Sequence, residues 1–278
     1  MGCGGAVAAR ARPTEGDDMT VRDTPWPEGT PCWAELAVPD LELGRQFYGA
    51  LLGWQFEVGP AETGFYSEAL VGGRRAAALN GYRPDPDAPV AWLPFLATPD
   101  AAGTADRAAA AGATVLAGPM DVMAFGAMAV LADPAGAAVA LWQAGTSLGA
   151  EVVDEPGAIA WAEHMSPDPT AARAFYPTVF DYALQDISAP GFDYTTLLLD
   201  GEPVAGIGGG WDRTEWCLYV RVADTDEVVA AATRLGGGVH LPAEDSPYGR
   251  VASITGPFGE RLGLMGPSTG EEAAAAGA

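Results

Sequence analysis

The chain repeats itself at a spacing of 128 residues, and no other feature narrows its fold so far. Trp33-Ala34-Glu35 returns as Trp161-Ala162-Glu163, Pro39-Asp40 as Pro167-Asp168, and Arg45, Phe47 and Tyr48 as Arg173, Phe175 and Tyr176. Tyr66, Leu70, Gly73 and Ala77 return as Tyr194, Leu198, Gly201 and Ala205, with no insertion between the copies. Stacked solenoid repeats run to about 50 residues, so a longer period marks a duplicated globular domain. The repeat sets the expected boundaries: an N-terminal extension at 1–29, a first domain at 30–146, a linker at 147–156, a second domain at 157–266 and a tail at 267–278. The extension and the tail, outside the repeat and rich in small residues, are expected to be disordered.

Within each copy the pattern reads β-α-β-β-β twice. In the first copy, strand 34–38 ends at Pro39-Asp40, where Asp40 is a good helix N-cap. Leu43, Phe47 and Leu51 then give an apolar helix face that Gly53 can terminate. Strands follow at 54–58, 65–71 and 75–79. The later module reads as strand 92–98, helix 101–111 and strands 114–116, 127–132 and 137–142. In the second copy Asp168 caps with Pro169 at the first helical position, and Pro177 is expected to bend or shorten the helix. Its later module reads as 216–222, 226–235, 239–241, 250–255 and 261–265. The fold class is therefore α+β.

Composition excludes several functions. A formal charge of −23, with 14 scattered arginines and no lysine, repels phosphate backbones, so no nucleic-acid partner is expected. Apolar runs stop well short of the roughly 20 residues that cross a bilayer, so no membrane partner is expected either. Cys3, Cys32 and Cys217 are odd in number and lack paired spacing, which points away from a disulfide framework or zinc knuckle and toward the cytoplasm. No apolar segment precedes Cys3 to make a signal sequence, and Met19 is an alternative start.

Asp40 with Phe47-Tyr48 and Leu52-Gly53-Trp54, and Asp133-Pro134-Ala135-Gly136 before the last strand, resemble the vicinal oxygen chelate superfamily. That superfamily covers glyoxalase, bleomycin-resistance and extradiol dioxygenase proteins. The second half carries Pro167-Asp168, Phe175-Tyr176, Asp181-Tyr182 and Gly256-Pro257-Phe258-Gly259. The resemblance covers residues 30–266 and is greatest to tandem two-domain glyoxalase-like proteins of actinobacteria. It implies two glyoxalase-like domains, each with paired modules forming one curved mixed sheet, helices outside and a binding cup on the concave face. The Phe-Tyr pairs themselves read as helix core, and the Asp-Pro-x-Gly stretch as a turn.

Metal-dependent members place their ligands at positions that here are Trp33, Ala140, Trp161 and Gly263. None of these side chains ligates a metal, so no cofactor is expected and metal-dependent glyoxalase or dioxygenase activity is disfavoured. With those positions taken as inward-facing, strand alternation lines the first cup with Trp33, Glu35, Ala37, Leu93, Phe95, Ala138, Ala140 and Trp142. The second receives Trp161, Glu163, Met165, Cys217, Tyr219, Arg221, Arg261 and Met265. Tyr66 and Tyr194 recur on a middle strand, and Tyr248 sits where it could line the mouth of the second cup.

Glu35 and Glu163 are either ligand anchors or structural carboxylates on one reading, or general bases on the other. Arg221, with Ala97 at its place in the first copy, could pair with Glu163 or with an anionic group of a ligand. His164 falls on the opposite strand phase and reads as a core or boundary histidine, the sequence names no partner for His240, and Cys217 reads as a small buried hydrophobe. The expected function is metal-independent binding, for sequestration or sensing, of a small apolar or aromatic molecule by a monomer or homodimer. The alternative is a metal-free isomerase or lyase with Glu163 as base and Arg221 stabilising negative charge.

Overall fold

The structure is a computed structural model in which residues 22–269 are described; Cys3, Met19 and the ends of the chain lie outside them. The first half runs β1 (Pro31–Ala37), α1 (Leu41–Leu52), β2 (Gln55–Val58), β3 (Ser67–Val71) and β4 (Arg74–Asn80). Its second module is β5 (Trp92–Ala97), α2 (Ala101–Ala110), β6 (Thr114–Val122), β7 (Gly126–Ala132) and β8 (Ala138–Ala144). The second half repeats this as β9 (Ile159–Met165), α3 (Thr170–Phe180), β10 (Ala183–Asp186), β11 (Tyr194–Leu199) and β12 (Glu202–Gly208). It closes with β13 (Glu215–Arg221), α4 (Thr225–Arg234), β14 (Gly238–Ser246), β15 (Gly249–Thr255) and β16 (Arg261–Gly266).

The strands form two eight-stranded mixed sheets, ordered β2-β3-β4-β1-β5-β8-β7-β6 and β10-β11-β12-β9-β13-β16-β15-β14. This is the expected α+β class, and the two orders match strand for strand. The parallel pair β1/β4 sets Glu35 opposite Ala78 and Ala37 opposite Asn80. Its copy β9/β12 sets Glu163 opposite Gly206 and Met165 opposite Gly208.

Local chemistry explains the helix ends. Asp40 Oδ1 accepts from Leu43 N at 3.0 Å, and Gly53 closes α1 at φ 72°, a left-handed conformation that costs glycine little. The buried face of α1 is Gly44, Phe47, Tyr48 and Leu51, whereas Leu43, expected inside, is 40% exposed. In α3 the Asp168 side chain accepts from Thr170 N at 3.0 Å, so the helix begins after Pro169 rather than at it. Pro177 neither stops nor shortens α3 by a turn; the helix continues to Phe180 and ends on Asp181 at φ 58°. Strands β6 and β14 run well past the segments expected at 114–116 and 239–241. Pro119 and Pro242 interrupt the alternation, and the ladders absorb them with register shifts.

By packing, the chain divides into two compact units, each drawing on both halves of the sequence. Among the described residues, the first comprises 22–33 with Leu93–Gly149 and Ala162–Trp216; the second comprises Ala34–Trp92, Ala150–Trp161 and 217–269. In the first unit Tyr176 donates to Asp133 Oδ2 at 2.8 Å, and Trp216 Nε1 donates to the Tyr176 hydroxyl at 2.9 Å. His164, fully buried, brings Nε2 to 2.9 Å from the same carboxylate oxygen. The same unit holds part of the expected extension, because Trp26 is 8% exposed and Gly29 N donates to Ala97 O at 2.8 Å.

The second unit builds the equivalent core with different parts. Tyr48 donates to Glu260 Oε1 at 2.6 Å and packs against Trp54 and Trp92. Its segment from the expected linker is fastened down. Arg75 Nε donates to Glu151 Oε1 at 3.0 Å, Arg221 Nε to Asp154 Oδ1 at 2.8 Å, and Trp54 Nε1 to Gly157 O at 2.6 Å. Beneath it Val152 and Ala158 bury against Ala76 and Val71.

Candidate functional site

In the second compact unit the alternation of β1 leaves Glu35 and Ala37 half-buried between the buried Ala34, Leu36 and Val38. The Tyr66 hydroxyl donates to Glu35 Oε1 at 2.6 Å, and Asn80 Nδ2 donates to Glu35 Oε2 at 3.0 Å. Asn80 is oriented in turn, its Oδ1 accepting from Tyr82 N at 3.0 Å. All four of Glu35, Tyr66, Asn80 and Ala37 keep partial exposure. Beside the cluster in the chain stand Phe65, 52% exposed and at φ 60°, and Tyr82, 78% exposed. A non-glycine residue held at positive φ stores backbone strain, and such strain gathers at ligand-contacting turns.

The first unit holds the repeat copy of this pair in a closed form. Tyr194 donates to Glu163 Oε2 at 2.9 Å, and both residues are 0% exposed. Gly206, opposite Glu163, leaves no room for a Cβ beside the Tyr194 hydroxyl, and Met165 covers Gly208.

The remaining candidates fall into the same two groups. In the first unit Trp33 is buried, and Phe95 meets Trp142 edge-on with ring centroids 6.4 Å apart. Trp142 Nε1 is committed to Ser147 O at 3.0 Å. In the second unit Trp161, Cys217, Tyr219 and Met265 are all buried, whereas Tyr248 and Arg261 are half-buried. Arg221 spends its guanidinium on Asp154, a partner that the sequence reading did not consider. His164 is the core histidine that its strand phase implied. Asn80 and the two exposed aromatics, Phe65 and Tyr82, were absent from the expected site. The signal available for Asn80 was that it is the chain's one asparagine.

The buried carboxylates of the two cores titrate in opposite directions. Burial alone would raise Asp133, but the His164 contact and the Tyr176 and Ala137 hydrogen bonds hold it below the ordinary range. Glu260 is pushed up by burial, which its bonds from Tyr48 and the backbone only partly offset. At the repeat position of His164 stands Leu36.

The metal positions named above offer no ligand set. In the strand registers Ala140 lies opposite Phe95, and Gly263 lies opposite Tyr219, whose ring leaves no space for a Cβ there. Among the described residues no three His, Cys, Asp or Glu side chains gather so as to hold a metal ion, so the donor set does not fit a divalent cation. No helix among the described residues is long and apolar enough to cross a membrane.

Residues 32–141 match the model of the Glyoxalase/Bleomycin resistance protein/Dioxygenase superfamily. The chain is 35% identical over 268 residues, 90% of its length and 98% of the relative's, to the anthracycline biosynthesis protein DnrV of Streptomyces peucetius. Its fold is similar to that of 2,2',3-trihydroxybiphenyl 1,2-dioxygenase from Sphingomonas wittichii strain RW1, with a TM-score of 0.59 and 18% identity, covering 89% of this chain and 93% of that one. It is also similar to the Mn(II)-bound glyoxalase from Novosphingobium aromaticivorans, with a TM-score of 0.61 and 15% identity over 86% and 83% of the two chains. With its repeated β-α-β-β-β modules, its sheet order and a relative matched along nearly the whole length, this chain belongs to the Glyoxalase/Bleomycin resistance protein/Dioxygenase superfamily.

Proposed function

We propose that the protein binds a small apolar or aromatic molecule without a metal ion, and that Glu35 is its polar anchor. The observation that carries this reading is the separate fixing of the two Glu35 oxygens by Tyr66 and Asn80 while the carboxylate keeps partial exposure. A carboxylate oriented before the ligand arrives loses little freedom on binding, and it rewards a hydroxyl or amino donor aimed at it. Phe65, next to Tyr66 in the chain, and Tyr82, whose backbone N–H donates to Asn80, carry exposed aromatic side chains. DnrV bears the name of a protein of anthracycline biosynthesis, and an anthracycline is a hydroxylated polycyclic aromatic, which makes that class the first to test.

The enzymatic alternative needs Glu163 as an accessible base and Arg221 as a spare positive charge. Glu163 is fully buried and Arg221 is paired with Asp154, so binding is the reading that the geometry favours. Titration with 2,6-dihydroxyanthraquinone, followed by fluorescence quenching and by product analysis, tests it. Saturable binding that survives exhaustive chelation, weakens about tenfold in Glu35→Gln (the loss of one charge-assisted hydrogen bond) and gives no product is expected. Metal-dependent affinity, or indifference to Glu35→Gln, would overturn the proposal.

A further inference from the structure

We infer that only the first copy of the carboxylate receives a ligand, and that the second is closed by the protein's own side chains. The choice is set by two facing pairs, Ala37 with Asn80 and Met165 with Gly208. This rests on the reading of Glu35 as an anchor and adds to it the number of sites and the residues that determine it.

The pairs occupy the same register in the two sheets, one across β1/β4 and the other across β9/β12. Their combined bulk is similar, but their chemistry is exchanged. In the first pair the large side chain is an amide, which donates to Glu35 Oε2. In the second it is a thioether, which lies over the glycine so closely that a Cβ at Gly208 would stand 2.7 Å from Met165 Sδ. The polar donor is gone and the space above it is filled. Glu35, Ala37, Tyr66 and Asn80 are all half-buried, while Glu163, Met165, Tyr194 and Gly208 are all buried.

The surroundings follow the same division. The repeat partner of Phe65 is Asp193, which is paired with Arg173, and the repeat partner of Tyr82 is Gly210. The first copy thus has an oriented, half-buried acceptor with exposed aromatic residues at neighbouring chain positions, whereas the second is buried, with Phe192 stacked on its Tyr194 ring at 5.4 Å. A molecule that presents a hydroxyl or amino donor from an aromatic frame has one place to go.

Isothermal titration with 2,6-dihydroxyanthraquinone should give one equivalent bound per chain, with Glu163→Gln leaving stoichiometry and affinity unchanged. The double variant Ala37→Met/Asn80→Gly should lose binding by tenfold or more, and Met165→Ala/Gly208→Asn should raise the stoichiometry toward two. Melting curves on each variant identify any that fail to fold. Carbodiimide coupling of glycine ethyl ester to the native protein, mapped by mass spectrometry, reads the same difference without a ligand: Glu35 should be modified and Glu163 protected. Two equivalents bound to the unaltered chain, or equal modification of both glutamates, would overturn the inference. Absence of any probe binding would instead count against the anchor reading, while the coupling experiment still decides whether one copy is open and the other closed.

Discussion

Asp133 and Glu260 each accept a hydrogen bond from the tyrosine of a Phe-Tyr pair, yet they should affect stability with opposite sign. Asp133 is held below the usual range, so the native state prefers it ionised; its contribution is present above the ordinary aspartate pKa and is lost as pH falls through the depressed value. Glu260 is raised, so the native state prefers it protonated; its contribution is complete at low pH and is lost as pH rises through the raised value. Asp133→Asn is therefore expected to lose on the order of 3 kcal/mol near neutral pH, in line with breaking a buried charged contact, and much less in acid. Glu260→Gln should gain stability near neutral pH and match the parent in acid. Urea denaturation of both variants from pH 3 to pH 8 checks this, and parallel curves would refute it.

At the scale of elements, the helix caps and the succession of strands and helices along the chain were legible because they depend on residues close in sequence: Asp40, Gly53 and the alternation along β1 suffice. What was not legible depends on distant partners. The Asp154 pairing of Arg221 joins residues 67 apart, and the contact of Asn80 with Glu35 spans 45. Neither periodicity nor spacing carries such information. Leu43 was misplaced because Gly44, rather than a bulky residue, occupies part of the inner face of α1. Pro177 shows the opposite error, in which a strong local signal yields to tertiary packing, with Phe175, Tyr176, Val179 and Phe180 all buried around it. The missing N–H still has a cost, so Pro177→Ala should stabilise the protein by about 1–3 kcal/mol, read as a rise in the urea midpoint at unchanged slope.

For the whole molecule, the donor chemistry predicts indifference to metal. Dialysis against a strong chelator should leave the melting temperature unchanged within error, and adding manganese, nickel or zinc should not raise it; a metal-dependent rise of several degrees would contradict the ligand inventory. The compact units carry a different consequence. Tyr48 lies in the first half of the chain and its partner Glu260 in the second, while Asp133 lies in the first half and its partners Tyr176 and His164 in the second. Divided between Gly149 and Ala150, where the packing units also change, neither fragment would retain both members of the Tyr48–Glu260 pair or of the Asp133 contacts with Tyr176 and His164. Co-expressed as separate polypeptides, the fragments have a physical reason to reassemble. The gene thus lends itself to a split reporter whose signal depends on two chains finding each other.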